Sequence, residues 1–337
     1  MTSTPPLPDS VLEQFGIRPE DELLHPVAPD EPHWNESIFF DWFRDERLAG
    51  HLRIGRMPNQ GRAWLWVFLF QEGDWVVIEE PRLPIEALSG GGFDYEGRGL
   101  RFRREVVSPL RENRISVEGL GRVVTGPRRG RLLPVAVDLF YTSIGPAHSV
   151  GEQSIAGHSA AFYSANRYEQ PSKVRGHQKV GDSAVGFEGW GERDHSWGPR
   201  RWNMEWRFLV VHSDVQSLQG VRVNFDPDAY ADVGYLGRNP TQHFVECEFE
   251  LDYRDEDVVD PYSGRVRFVA EDGTVVSGHL ISLTSAEIDA SHAFEPPQPS
   301  LYRRALVRFT PDGGGAPMLG WLEINRFPHG MILDEEG

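Results

Sequence analysis

The sequence predicts an all-β fold of two successive antiparallel barrels or sandwiches, and three observations lead there. Short runs of alternating or wholly apolar residues recur along the chain, bounded by Gly, Pro, Asn or Asp. Helical patterning is confined to two short stretches. An irregular connection at 143–170 splits the strands into two sets, one for each domain.

Residues 1–30 are rich in Pro, Asp and Glu and read as an arm over the surface. Within it Ser10 and Glu13 fit a capping box for one short helix, which Gly16 would stop. From about residue 35 the pattern turns to β. Gly50–Arg56 alternates, with Leu52 and Ile54 on one face. Ala63–Phe70 is apolar on both faces, as suits a central strand or one between two packed layers. Glu72-Gly73-Asp74 makes a tight turn into Trp75–Glu79. Strands follow at 99–106, 113–119 and 132–142, and Ser159–Tyr168 reads as a short helix in the connection. Strands resume at 173–180, 184–196, 203–212, 217–226, 242–253, 264–270, 274–286, 303–310 and 317–326. Asp272-Gly273 and Asp312-Gly313 supply turns between neighbours. The expected division is an arm (1–30), a first barrel (31–160) and a second barrel (161–337).

Composition narrows the function classes. A chain of 337 residues with 39% hydrophobic and 25% charged content suits a soluble globular protein with sizeable cores. A formal net charge of −17 argues against nucleic acid or an anionic membrane as partner, since both need a cationic footprint. Cys247 is the single cysteine, so neither a disulfide framework nor a thiolate metal cluster is expected. No secretory pattern opens the chain and no segment approaches a membrane span, so a cytoplasmic location is expected. The 12 histidines show no H-E-x-x-H or H-x-H spacing, and no metal is expected. Gly90-Gly91-Gly92 and Gly313-Gly314-Gly315 do not open helices and read as loops. Arg128-Arg129-Gly130-Arg131 reads as a solvated hairpin loop, and Ser196 lies in no nucleophile elbow.

Reactive side chains are densest at Gly191-Glu192-Arg193-Asp194-His195-Ser196-Trp197-Gly198-Pro199-Arg200. With a period of two, Val185, Phe187, Gly189, Gly191, Arg193, His195 and Trp197 share one strand face. If that face points into a barrel, Gly189 and Gly191 leave room for a ligand beside His195 and Trp197. The alternative is structural: Arg193, Asp194 and Arg200 form an ion-pair corner with His195 as an anchor. On strand 217–226 a polar face carries Leu218, Gly220, Arg222, Asn224 and Asp226. It either meets solvent or lines a cavity, and burial would then raise the Asp226 carboxyl and suit it to donate a proton. His243, Val245, Cys247, Phe249 and Leu251 read as one core row. Trp321, Glu323 and Asn325 share a face near the C-terminus, where Glu323 is either an edge charge or a supporting acid. Tyr168-Glu169-Gln170-Pro171 reads as a linker turn, with Tyr168 within reach of either barrel.

Asp194-His195-Ser196-Trp197-Gly198 resembles the D-H-x-W-G signature of the AttH-like and carotenoid 1,2-hydratase (hydroxyneurosporene synthase) superfamily. The continuation Pro199-Arg200-Arg201-Trp202 is similar to a bacterial branch marked by Asp-His-Ser-Trp-Gly-Pro-Arg. His33–Ser37, His51–Asn59, Gly99–Val106 and Tyr168–Gly176 look like the same branch, so the likeness covers most of the chain. It implies two consecutive lipocalin-like barrels and chemistry without a redox cofactor. In the hydratases a carboxylic acid protonates an isolated C=C bond, aromatic rings shield the carbocation, and water adds. On this resemblance His195 and Trp197 match the H-x-W pair, and Asp226 of Asn224-Phe225-Asp226 matches the acid of the Y-x-D element. Asn224 replaces the tyrosine, a departure that tells against carotenoid as substrate.

The expected function is therefore a cofactor-independent acid/base enzyme acting on a hydrophobic unsaturated molecule (terpenoid, steroid or polyketide-like) by hydration, dehydration or isomerisation. Asp226, His195 and Trp197 are its catalytic candidates. Asp194, Arg200, Glu323 and Asn224 are expected in support, and Arg193, Trp321 and Tyr168 against the substrate. The alternative is a lipocalin-type carrier that returns an apolar ligand unchanged.

Overall fold

The computed structural model describes residues 7–149, 166–200, 202, 204–224, 230–255, 259–293 and 299–327. These form two compact units, one ending at Arg200 and the other beginning at Trp202. The first contains β1 (Trp34–Asp45), β2 (Leu48–Met57), β3 (Arg62–Gln71), β4 (Asp74–Pro84), β5 (Leu88–Ser89), β6 (Asp94–Gly97), β7 (Leu100–Ser108), β8 (Glu112–Thr125), β9 (Leu132–Ser143), β10 (His148–Ser149), β11 (Asn166–Val180) and β12 (Ser183–Pro199). The second contains β13 (Glu205–His212), β14 (Ser217–Asn224), β15 (Tyr230–Leu236), β16 (Gln242–Asp255), β17 (Asp260–Ala270), β18 (Val275–Ile288), β19 (Leu301–Pro311) and β20 (Met318–Arg326).

Both units are antiparallel barrels of lipocalin type, as the sequence predicts. In the first, the pairings run β1-β2-β3-β4-β8-β9-β11-β12 and return to β1, while β7 takes over the edge of β8 where β4 leaves it. In the second, β13 to β20 pair in order and β20 closes on β13. The Glu72-Gly73 turn has positive φ at both residues (54° and 91°), the type I′ geometry that suits a two-residue hairpin. β3 is buried on both faces, as its unbroken apolar run requires.

The domain division departs from expectation at its most consequential point. β11 and β12 close the first barrel, so the Asp-His-Ser-Trp-Gly motif belongs to the first unit and not the second. The expected boundary at 160 and most of the expected helix at 159–168 lie outside the described residues, and Asn166–Tyr168 are strand. The arm is not a surface strap either: Leu12 and Ile17 are buried and Glu22 is wholly enclosed. Its helix α1 spans Asp9–Leu12 after Pro8, with no side-chain cap, so Ser10 and Glu13 form no capping box. In β16 a bulge between Phe244 and Glu246 shifts the face, burying Phe244 and Cys247 and leaving Val245 exposed.

The inward row of β12 includes Gly189 and Gly191, but they leave no ligand space. A Cβ at either would lie 2.0 Å from a β1 carbonyl oxygen, that of Phe43 or Asp41. The glycines let two backbones approach. Gly191→Ala should therefore lower stability by about 1–3 kcal/mol, the usual penalty of overpacking. A reduced urea midpoint with an unchanged m-value would show this; a wild-type midpoint would mean that β1 and β12 separate freely there.

Candidate active site

Alternation along β12 puts Arg193, His195 and Trp197 on its inward face. Their β1 neighbours are Phe40, Ile38 and Glu36, and Phe40 and Ile38 belong to the barrel core. Tyr168 and Gln170 of β11 stand opposite His195 and Arg193. Tyr168 therefore lies on a strand and not in a linker turn, and it is fully buried. One end of the barrel thus carries a dense polar cluster.

The N-terminal segment completes that cluster. A 3-10 turn, Pro19–Glu22, delivers Glu22 into the barrel. Its carboxylate accepts from both terminal nitrogens of Arg193 (2.7 and 2.9 Å), the Tyr168 hydroxyl (2.8 Å), the Leu110 amide (2.8 Å) and Arg104. Burial alone would raise the Glu22 carboxyl, but the Arg193 and Arg104 charges outweigh it and hold the group well below its ordinary range. Burial pushes the Tyr168 phenol up, so Tyr168 remains a neutral donor.

Glu36 is the second hub. Its Oε1 lies 3.1 Å from His195 Nε2, 3.0 Å from His25 Nδ1 and 3.1 Å from the His25 amide nitrogen. Arg56 approaches its Oε2 at 3.4 Å. Burial raises the Glu36 carboxyl, yet the hydrogen bonds from His195 and His25 prevail and bring it down to about 2. For His195 burial prevails over the hydrogen bond to Glu36 and lowers its pKa, so the ring is neutral at physiological pH. An anionic Glu36 can only accept, so the single ring proton of neutral His195 sits on Nε2. Nδ1 then carries the lone pair, and it is buried without a hydrogen-bond partner among the described residues. Around the ring stand Trp197 (centroids 5.2 Å apart), Tyr168 (6.0 Å) and Phe93 (6.1 Å). The His25 ring stacks on Trp197 at 3.7 Å and 5°.

Ligand atoms of His25, Glu36 and His195 all lie within 4.8 Å of one another, so among the described residues this is the group that could hold a metal ion. Here one oxygen already accepts from three N–H groups, and a guanidinium stands beside it. That pattern is a carboxylate satisfied by hydrogen bonds, and a cation would have to displace protons and tolerate Arg56.

The remaining expected residues are elsewhere. Asp194 follows the opposite face of β12 and pairs with Arg167 at 2.5 Å, so it does not orient His195. Ser196, on that face too, meets the Ser37 hydroxyl at 2.9 Å. Arg200 ends the strand with its amide on the His33 carbonyl (3.0 Å); the hydrogen-bond partner of His195 is Glu36, not Arg200. Three expected residues belong to the second barrel. Asn224 accepts from Arg207 at 3.4 Å, Glu323 binds Arg304 (2.6 Å) and the Trp206 indole (2.7 Å), and Trp321 is buried on the same face as Glu323. Glu323 is thus no edge charge. That face is the one opposite the core residues Leu322 and Ile324. Asp226 lies outside the described residues. Sequence reasoning missed Glu22, His25, Glu36, Arg56 and Arg104; the available signal was that His33–Ser37, His51–Asn59 and Gly99–Val106, which hold Glu36, Arg56 and Arg104, already shared the family likeness.

A model of a domain of unknown function, DUF7064, matches residues 18–328. The chain belongs to the DUF7064 family. The matched span opens at Arg18, so the segment that brings Glu22 and His25 to the barrel is part of the family domain. No curated protein matches the chain. Among solved structures it is similar to a protein assigned as an AttH from Nitrosomonas europaea, with 16% identity over 89% of this chain and 99% of that one and a TM-score of 0.59. CghA, solved with Sch210972, shares 11% identity over 90% and 96% of the two chains, with a TM-score of 0.53. Kievitone hydratase from Nectria haematococca shares 11% over 90% and 92%, with a TM-score of 0.54. These likenesses establish the fold.

The cluster has a pH signature. Glu36, Glu22 and His195 all have folded pKa values below their unfolded ones, so the unfolded chain binds more protons in acid. Their stabilisation is complete above the ordinary His value of 6.5 and falls as pH drops, Glu36 losing its share between 4.5 and about 2. Melting temperature should be level above pH 7 and decline steadily below it, and Glu36→Gln should flatten the decline below pH 4.5. A melting temperature unchanged down to pH 4 would contradict this assignment.

Proposed function

We propose that the protein is an acid/base enzyme of the hydratase or isomerase type, acting on a hydrophobic unsaturated small molecule, with His195 as the group that moves the proton. One observation carries the reading: a buried, neutral imidazole is held by a carboxylate through Nε2 and presents an Nδ1 lone pair with no partner among the described residues, beside aromatic rings. A carboxylate that fixes the tautomer of a histidine base is a recurring arrangement for proton transfer. Here the two ring nitrogens take reversed positions, Nε2 facing the carboxylate and Nδ1 the reactant.

In a hydration, an acid protonates one carbon of the C=C bond, water attacks the carbocation, and the surplus proton of the added water passes to Nδ1. In an isomerisation, Nδ1 takes the proton from the neighbouring carbon instead. The Trp197 and Tyr168 rings favour a positive charge developing beside them. Asp226, the acid expected from the resemblance, is tested as a separate variant. A hydratase among the fold neighbours supports this class of reaction, and a terpenoid, steroid or polyketide-like skeleton suits the aromatic surround.

The test is mass spectrometry of apolar cell extracts incubated with the protein in deuterated water, beside His195→Ala, Glu36→Gln and Asp226→Asn. A deuterated, hydrated or isomerised product is expected from the wild type, with turnover lowered about 10²–10⁴-fold in His195→Ala. A ligand retained unaltered by every variant would make the protein a carrier. Turnover unchanged in His195→Ala would remove His195 from the reaction.

A further inference from the structure

Four pieces of the first barrel converge on the Glu22 carboxylate: Arg193 of β12, Tyr168 of β11, Arg104 of β7, and the Leu110 amide in the turn from β7 to β8. Each of these donors has other supports. Arg193 also donates to the Tyr168 oxygen (3.1 Å) and to Gln170. Arg104 Nε donates to Asn113 at 3.1 Å, and the Leu110 carbonyl takes the Gln170 amide at 3.0 Å. The acceptor comes from outside both sheets, on a segment whose next residues, Leu23 and Leu24, are 57% and 38% exposed. Beside the carboxylate lies a small apolar group in which Ile17 packs with Leu110, Ala147, Tyr168 and Trp197. The barrel therefore holds a complete carboxylate receptor, a two-pronged guanidinium with a phenol and an amide, next to apolar surface.

We propose that the mouth of the first barrel is a carboxylate-binding site which Glu22 fills in cis, and that the ligand acted on at His195 is a hydrophobic carboxylic acid whose carboxylate takes the place of Glu22. What happens to the ligand rests on the reading of His195 given above; its binding does not. Exchange of one carboxylate for another leaves neither Arg193 nor Arg104 as an unpaired buried cation, which makes displacement of Glu22 feasible where its simple withdrawal is not. Tyr168 joins the two functions, with its hydroxyl on the carboxylate and its ring 6.0 Å from that of His195. Lifting the Pro19–His25 segment also takes the His25 ring off Trp197 and uncovers the imidazole.

The experiment titrates the full chain and its Glu22→Gln variant with cis-parinaric acid, a fluorescent unsaturated acid, and with its methyl ester. Glu22→Gln should bind the acid at least tenfold more tightly than wild type, while the ester binds both proteins within twofold. Equal affinity for acid and ester in the variant, or no gain for the acid, would overturn the proposal. Hydrogen exchange on the wild type covers the case in which the variant does not fold. There the acid, but not the ester, should speed amide exchange across residues 19–25, and unchanged exchange with the acid bound would again overturn it. Neither readout involves turnover. Failure here leaves His195 as a base intact, and an inactive His195 leaves the binding gain intact.

Discussion

The Glu22–Arg193 ion pair is the constraint on which the first barrel's polar end depends. Both groups are fully buried, and each would be a severe liability alone, because an unpaired charge in a low-dielectric interior loses its hydration without compensation. Together they fix several things at once. They tie the N-terminal segment to the inward face of the barrel and hold Tyr168 as a neutral donor between them. The neighbouring His25 then reaches both Glu36 and the face of Trp197.

The same electrostatics determine the state of His195. Each of the two carboxylates in the cluster is satisfied by N–H and O–H donors, so both keep their charge despite burial. The imidazole is compensated less for a positive charge: burial and the nearby Arg104 disfavour it, and these outweigh the support of Glu36 and Glu22. A neutral ring in contact with an anion has one possible tautomer, and that tautomer exposes Nδ1 to the aromatic wall. The chemistry assigned to this residue thus follows from the inventory of charges around it more than from the residue type.

Much of the local structure was legible in the sequence, because strand alternation is a local property. Residues 184–197 alone divide β12 into its two faces, and the structure turns the one with Arg193, His195 and Trp197 inward. What was illegible is what depends on distant pairing. β12 hydrogen-bonds to β1, with His195 opposite Ile38, and no local pattern announces that the twelfth strand closes on the first. The motif was therefore assigned to the wrong barrel. Glu22 looked like one acid among many in a Pro-rich arm, since its partners lie at positions 104, 110, 168 and 193. Glycines 189 and 191 looked like empty space, whereas only the facing carbonyls of β1 reveal them as points of close approach. Residue periodicity identifies faces; it does not identify what those faces meet.

The claim that carries the most weight is the protonation state of His195, and nitrogen-detected NMR of the 15N-histidine-labelled protein, assigned with His195→Gln, measures it directly. The account predicts a neutral His195 ring at pH 7 and above, protonated at Nε2 with an unprotonated Nδ1. An imidazolium at pH 7, or a neutral ring carrying its proton on Nδ1, would contradict it.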